Sequence, residues 1–267
     1  MTGYTDIQIE IEDPVAVIRL NRPEKLNAFT YHTLAEIRSA VDAAAADPRV
    51  VGIVITGNGR GFCAGLDSAA LAEVTSSGGA GRQEASSDEV PGLFTYFLAV
   101  PKPIIAAVNG VAVGGGLVLA AMCDLRFASA NASFATVFLK RGLIAEHGTT
   151  WILPRLVGAG RALDLLWRSE RIDAARALEI GLVEFVSEPE RLLEDAKDYV
   201  RELAAQVAPQ SIADTKRLVY AHMGTDYPTA LREADAAQWA AIARPDAAEG
   251  ARALLEKRPP NFRRLGQ

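Results

Sequence analysis

One carboxylate stands out by its neighbours. Glu146 lies in the stretch Arg141-Gly142-Leu143-Ile144-Ala145-Glu146-His147-Gly148-Thr149-Thr150-Trp151-Ile152-Leu153-Pro154. Burial among Leu143, Ile144, Trp151 and Ile152 would disfavour its charged form and raise its pKa toward the range in which general acid–base catalysts work. A plainer role is also open, because a negative charge before a helix starting near Gly148-Thr149-Thr150 complements the helix dipole. The adjacent His147 can change charge near neutral pH and so tune or assist Glu146, or it can simply hold a structural hydrogen bond. Cys63 is the other potential nucleophile, but free cysteines most often serve as small packing residues. With three histidines in the chain and no Cys/His/carboxylate group at ligand spacing, no metal site is expected.

Two glycine-bearing turns could meet such an acid. The apolar run Val50 to Thr56 leads into Gly57-Asn58-Gly59-Arg60-Gly61-Phe62-Cys63-Ala64-Gly65-Leu66-Asp67. The run Pro103 to Val108 leads into Asn109 and then Gly114-Gly115-Gly116, which opens the apolar stretch Leu117 to Met122. Each run reads as a buried strand, and the second turn as the start of a buried helix whose free N–H groups aim at a ligand. Glycine permits positive φ and close approach of a ligand, and close packing of helix on strand explains it equally well. The second turn lacks the Gly-Lys-Ser/Thr of a phosphate loop and the spacing of a dinucleotide fingerprint. Two N–H donors converging on one oxygen would form an oxyanion hole, which acts where negative charge develops in a reaction.

Together, Phe62 to Asp67, Asn109-Gly110 with Gly114-Gly115-Gly116, Met122-Cys123-Asp124, the early Asn21-Arg22-Pro23, Lys25 and Asn27-Ala28, and the late Glu256-Lys257-Arg258 resemble the crotonase (enoyl-CoA hydratase/isomerase) superfamily. The motifs run in order over nearly the whole chain. The resemblance implies an α/β fold: a crotonase-like spiral of ββα turns over residues 1–190, holding an acyl-CoA site, and a C-terminal helical module over 191–267 that assembles trimers, often paired into hexamers. It implies that the N–H groups of Ala64 and Gly115 grip a thioester oxygen as it becomes an enolate. Leu66 and Asp67 belong to the same motif and are expected at the acyl-CoA site. Lys25, which alone would be an ordinary surface lysine, is expected to reach an anionic part of the ligand. Lys257 is expected to meet coenzyme A phosphates of a neighbouring subunit, although a basic residue at a helix C-terminus also opposes the dipole there. The coenzyme A thioester is then a substrate, and no separate cofactor is implied.

The departure from the family pattern bears on the reaction. Typical hydratases of the superfamily use two glutamates, whose positions correspond here to Val118 and Phe138, and neither of these residues can move a proton. Several enoyl-CoA isomerases carry their one catalytic glutamate where this chain has Glu146. An isomerase-type proton transfer by Glu146 is therefore the leading expectation. A hydratase using Glu146 with His147 or another group, and a non-catalytic acyl-CoA-binding protein, are the alternatives.

The elements that must position these residues are legible as patterns. A chain of 267 residues with 49% hydrophobic and 23% charged residues can bury a substantial core. A formal net charge of −5 argues against general nucleic-acid binding. No apolar run approaches the ~20 residues of a membrane helix and no signal-peptide pattern opens the chain, so neither membrane association nor export is expected. Two cysteines do not suggest a disulfide framework, and the expected setting is the cytoplasm. Ile7 to Ile11 and Val15 to Leu20 predict a hairpin around Pro14. A helix is expected from Thr33 to Ala46, a strand over 50–56 and a short helix within 66–74. Residues 75–87 are small and polar, either a mobile lid or a neutral insertion. Further strands are expected at 124–128, 132–135 and 182–186, and helices at 161–167 and from Asp173, as a cap, to Gly181. From Pro189 onward only helical patterns occur, near 192–207, 211–222, 228–243 and 247–257.

Overall fold

The computed structural model describes residues 3–76 and 92–266. The predicted lid falls mostly on 77–91 and so lies outside the described residues.

Strands β1 (Ile7–Glu12) and β2 (Val15–Leu20) pair antiparallel, with Ile9 opposite Ile18. Helix α1 (Tyr31–Ala46) follows, its start fixed by reciprocal hydrogen bonds between Thr30 and Thr33 that satisfy N–H groups left free in a first turn. Then come β3 (Gly52–Gly57), β4 (Gly61–Cys63) and α2 (Ser68–Ser76). The second turn region gives β5 (Ile104–Val108), β6 (Val111–Val113) and α3 (Gly115–Met122). After β7 (Leu125–Ser129) and β8 (Ser133–Ala135), helices α4 (Thr149–Val157) and α5 (Ala159–Arg168) lead to β9 (Ile172–Asp173), α6 (Ala174–Glu179) and β10 (Phe185–Ser187). The Asp173 side chain caps α6 by accepting the Arg176 N–H at 2.8 Å, as expected of an N-terminal Asp.

Two sheets result. One has six strands in the order β1-β2-β3-β5-β7-β10 and is parallel beyond the first hairpin. The other has four short strands, β4-β6-β8-β9, with only β9 antiparallel. The sequence patterns predicted strands in all six places of the first sheet, but of the second only β8, expected at 132–135. Strands of two or three residues are too short to show a period, and β4 and β6 hide inside what read as glycine turns.

Alternation along β3 sends Ile53 and Ile55 into a core shared with α1 and α3, and Val54 to the opposite face. That opposite face is covered by α7 (Leu192–Gln206), through Leu192, Ala196 and Val200. The approach is close: a Cβ on Gly52 would stand 2.9 Å from the Val200 methyls. The first helix of the expected C-terminal module therefore belongs to the packing of the sheet. Helices α8 (Pro209–His222), α9 (Tyr227–Ile242) and α10 (Pro245–Glu256) complete the chain, and α9 has no buried residue. Among the described residues, no helix is long and apolar enough to cross a membrane.

Candidate active site

The first glycine turn is tied down by side-chain amides. Asn27, buried and at φ +57°, donates to the carbonyls of Asn58 at 2.9 Å and Gly61 at 2.7 Å, and accepts the Arg22 N–H at 2.9 Å. Asn109, from the second turn, accepts the Gly57 N–H at 3.0 Å and donates to the Gly59 carbonyl at 2.9 Å. Asn109 thus ties the two turns together, and Asn27 ties the first turn to the 21–27 loop. Sequence reasoning quoted both as motif residues and assigned neither a role; their signal was position beside glycine turns, where Asn commonly bonds backbone.

The structure corrects one expected donor. The Ala64 N–H donates to the Leu26 carbonyl at 3.0 Å, so it is consumed by backbone pairing and cannot serve a ligand. Two residues on, Phe29 N–H donates to Gly65 O at 2.8 Å and Asp67 N–H donates to Phe29 O at 2.9 Å, a parallel bridge centred on Leu66. In such a bridge the N–H of the central residue points away from its partner strand. The Leu66 N–H has no acceptor among the described residues. The donor of this turn is thus Leu66, a residue expected at the site for a different purpose.

The other expected donor is Gly115. Gly115 is the first residue of α3, so its N–H has no intrahelical acceptor and lies at the positive end of a wholly buried helix. The turns are in contact: a Cβ on Gly65 would be 3.1 Å from the Gly115 nitrogen. Glycine is required on the helix as well, since a Cβ on Gly116 would lie 2.0 Å from the Cys63 carbonyl oxygen.

Leu66, Gly115, Glu146 and His147 all line one cavity of about 120 Å³, with Phe29, Leu143 and Phe138 among its apolar walls. Glu146 and His147 are about one-third exposed, and the His147 Nε2 lies 3.1 Å from Glu146 Oε2. The carboxylate's partner is this ring and not an N–H of α4, although Glu146 lies just before the start of that helix. Burial holds the His147 pKa below that of an ordinary imidazole, against the opposing pull of the Glu146 carboxylate. Two consecutive left-handed residues, His147 at φ +53° and Gly148 at φ +81°, turn the chain here. The Glu146 carbonyl accepts both the N–H of Thr149 at 3.0 Å and its hydroxyl at 2.5 Å. Of the apolar neighbours expected around Glu146, Leu143 lines the cavity, whereas Ile144 is 78% exposed.

The remaining expected residues fall elsewhere. The Asp67 carboxylate accepts the Ala69 N–H at 3.0 Å and an Arg22 N–H at 3.2 Å, contacts that hold its pKa below the usual value. It fastens α2 to the Asn21–Asn27 loop and does not line the cavity. Lys25 ends a short 3-10 turn and is exposed, outside the lining. Lys257, exposed at the end of α10 with φ +51°, is also outside it. Cys63 is fully buried and burial pushes its thiol up to about 12, which fits packing rather than nucleophilic chemistry. Val118 is buried in the core and Phe138 forms part of the cavity wall. Among the described residues, no group of three or more His, Cys, Asp or Glu could hold a metal ion.

Two largely parallel sheets, with free amides at a strand-to-helix turn lining a mainly apolar cavity, define an α/β protein. The family model for enoyl-CoA hydratase/isomerase matches residues 10–265. A crotonyl-CoA hydratase from Syntrophomonas wolfei is 39% identical over 97% of this chain and 98% of its own. A short-chain-enoyl-CoA hydratase from Clostridium acetobutylicum is 34% identical over 95% of each chain. The crystal structure of an enoyl-CoA hydratase/isomerase from Mycobacterium paratuberculosis superposes with a TM-score of 0.87 at 31% identity, covering 98% of this chain and 99% of that one. The chain belongs to the enoyl-CoA hydratase/isomerase family of the crotonase superfamily.

Proposed function

We propose that this enzyme moves a proton on an acyl-CoA thioester through Glu146, most simply converting a 3-enoyl-CoA into the 2-enoyl isomer. The observation that carries the reading is that Glu146 is the one carboxylate lining the cavity among the described residues, and that Leu66 and Gly115 line it too. Removal of a proton α to a thioester puts negative charge on its oxygen, and two N–H donors there stabilise the enolate. Glu146 takes the α proton as a carboxylate and returns it at the γ carbon as an acid, so one group and one proton complete the cycle. His147, 3.1 Å away, orients the carboxylate. The apolar residues at Val118 and Phe138 support this over a mechanism needing two acids.

A hydratase reading is favoured by the names of the two curated relatives. It requires a water held between Glu146 and a second group, for which His147 is the neighbour on hand. Solvent deuterium exchange at the α and γ carbons of a 3-enoyl-CoA, with native protein and Glu146→Gln, separates the readings. Exchange by the native protein alone supports isomerisation. Hydration of a 2-enoyl-CoA without γ exchange supports the hydratase, and tight acyl-CoA binding with neither reaction supports a binding protein.

Assembly into trimers or hexamers is part of the same proposal. Tyr227, Leu231, Trp239, Ile242, Leu254 and Leu255 are all more than half exposed on the helical end of a single chain, a surface suited to burial between subunits. Light scattering of the purified protein tests it. The role of Lys257 at a neighbouring subunit's coenzyme A stands or falls with that assembly.

A further inference from the structure

The cavity holds a second charged side chain that the reaction above does not use. Arg141 ends the short turn Leu139–Arg141, its backbone N–H donating to the Phe138 carbonyl at 2.9 Å, and it lines the cavity together with Phe138, Leu143 and Glu146. Among the described residues its guanidinium has no hydrogen bond and no ion pair, although Glu146 lines the same cavity. Glu146 is instead satisfied by His147. Other arginines are paired: Arg22 with Asp67, Arg126 with Glu184, and Arg258 with Glu249.

Arg141 is exposed, so its guanidinium stands at the rim of the cavity, and with no protein acceptor among the described residues it offers a planar fork of donors matched to a carboxylate. The neighbours of Arg141 in the lining belong to the wall around the acid. Leu66 and Gly115 line the same cavity, so an acyl group whose thioester oxygen meets their amides shares that space with Arg141. The cavity, of about 120 Å³, has room for a short acyl group. We propose that Arg141 recognises a carboxylate at the far end of the acyl chain, so that the substrates are short enoyl-CoA thioesters of dicarboxylic acids. This rests on the acyl-CoA reading of the same cavity and narrows its substrate class. Arg141 is then a specificity residue: it contacts the substrate and takes no part in moving the proton.

Binding of saturated thioesters, which cannot react, tests the idea independently of turnover. Succinyl-, glutaryl- and adipyl-CoA would each be compared by calorimetry with a neutral thioester of matched shape, in which an isopropyl group replaces the carboxylate. Free coenzyme A would be measured alongside. The native protein is expected to prefer the anionic member of at least one pair by about 10- to 100-fold, the value of a charge-assisted bidentate contact. Arg141→Gln should lose that preference while binding the neutral thioesters and coenzyme A as before, and Arg141→Lys should keep part of it. Absence of any preference in the native protein, or its survival in Arg141→Gln, overturns the proposal. Equal weakening of all ligands by Arg141→Gln, coenzyme A included, also overturns it, since the guanidinium would then serve a coenzyme A phosphate. Failure of the native protein to bind any of these thioesters would instead sink the acyl-CoA reading itself.

Discussion

The wall that carries the Leu66 and Gly115 amides and the wall that carries Arg141, Glu146 and His147 belong to one cavity, yet they are built on different principles. On the first wall the functional atoms are backbone N–H groups. They are held by elements with no freedom to move: Phe62 and Cys63 are fully buried, and every residue of α3 is buried. On the second wall the functional atoms are side-chain tips on an irregular, partly exposed segment between β8 and α4, shaped by left-handed residues at 142, 147 and 148. Backbone donors cannot be mutated away without disturbing the fold that presents them. Side-chain acids can be exchanged with little structural consequence. The difference shows how one scaffold can keep a fixed grip on a thioester while its proton chemistry changes.

The sharpest way to break this comparison is to perturb each wall by a single atom group. Gly116→Ala puts a methyl 2.0 Å from the Cys63 carbonyl oxygen, where backbone has to shift. The expected result is a loss of about 3 kcal/mol or more in stability, read from the urea midpoint, with activity falling alongside. Glu146→Gln should do the reverse. Its side chain is one-third exposed, so stability should change by no more than about 0.5 kcal/mol, while proton exchange falls by about 10²–10⁴-fold. If Gly116→Ala were harmless, or Glu146→Gln unfolded the protein, the division between the walls would not hold.

A subtler test concerns which amide of the first turn does the gripping. The Ala64 N–H is already bonded to Leu26, and the Leu66 N–H has no acceptor among the described residues. Amide chemical shifts followed during titration with butyryl-CoA should move strongly at Leu66 and Gly115 and little at Ala64. The opposite pattern would restore Ala64 as the donor and remove Leu66 from the site.

That two-residue offset also marks what could be read from the sequence. The long parallel sheet, α1, α3 and the helical end were visible because their apolar periods run over five residues or more. The motif Phe62 to Asp67 announced a donor turn, but which N–H is free depends on partners far away in the chain: Leu26 for Ala64 and Phe29 for its neighbours. No local pattern records that pairing. The same holds for the Asn27 and Asn109 cross-ties and for the four-stranded sheet, whose strands are too short to show alternation. Glu146 was legible as a candidate from its place in the family resemblance, with apolar neighbours in sequence as support, yet one of these, Ile144, is exposed. Asp67 read as a ligand contact and is a cap and ion-pair partner, because Arg22 reaches it from an earlier loop. Arg141 drew no attention in the sequence: its meaning lies in the partner it lacks.

The smallest expected effect sharpens the picture of the second wall. Burial lowers the His147 pKa in the folded protein, with the nearby Glu146 carboxylate working against the shift. A histidine whose folded pKa lies below its unfolded value of about 6.5 binds more protons when the chain is unfolded, so stability rises with pH across that interval. It follows that His147 contributes nothing at high pH and costs stability as pH falls through about 6.5 toward the lower folded value. His147→Gln keeps a hydrogen-bonding group beside Glu146 and cannot titrate. The melting temperature of the variant should therefore decline less than that of the native protein between about pH 7 and pH 5, the window set by the ordinary imidazole pKa. A steeper decline in the variant would mean that the Glu146 contact outweighs burial and that the ring is held as a cation. The ring would then act as a counter-charge that keeps Glu146 ionised rather than as a neutral partner that orients it, and the pH profile of proton exchange would have to be read from the pair as a unit.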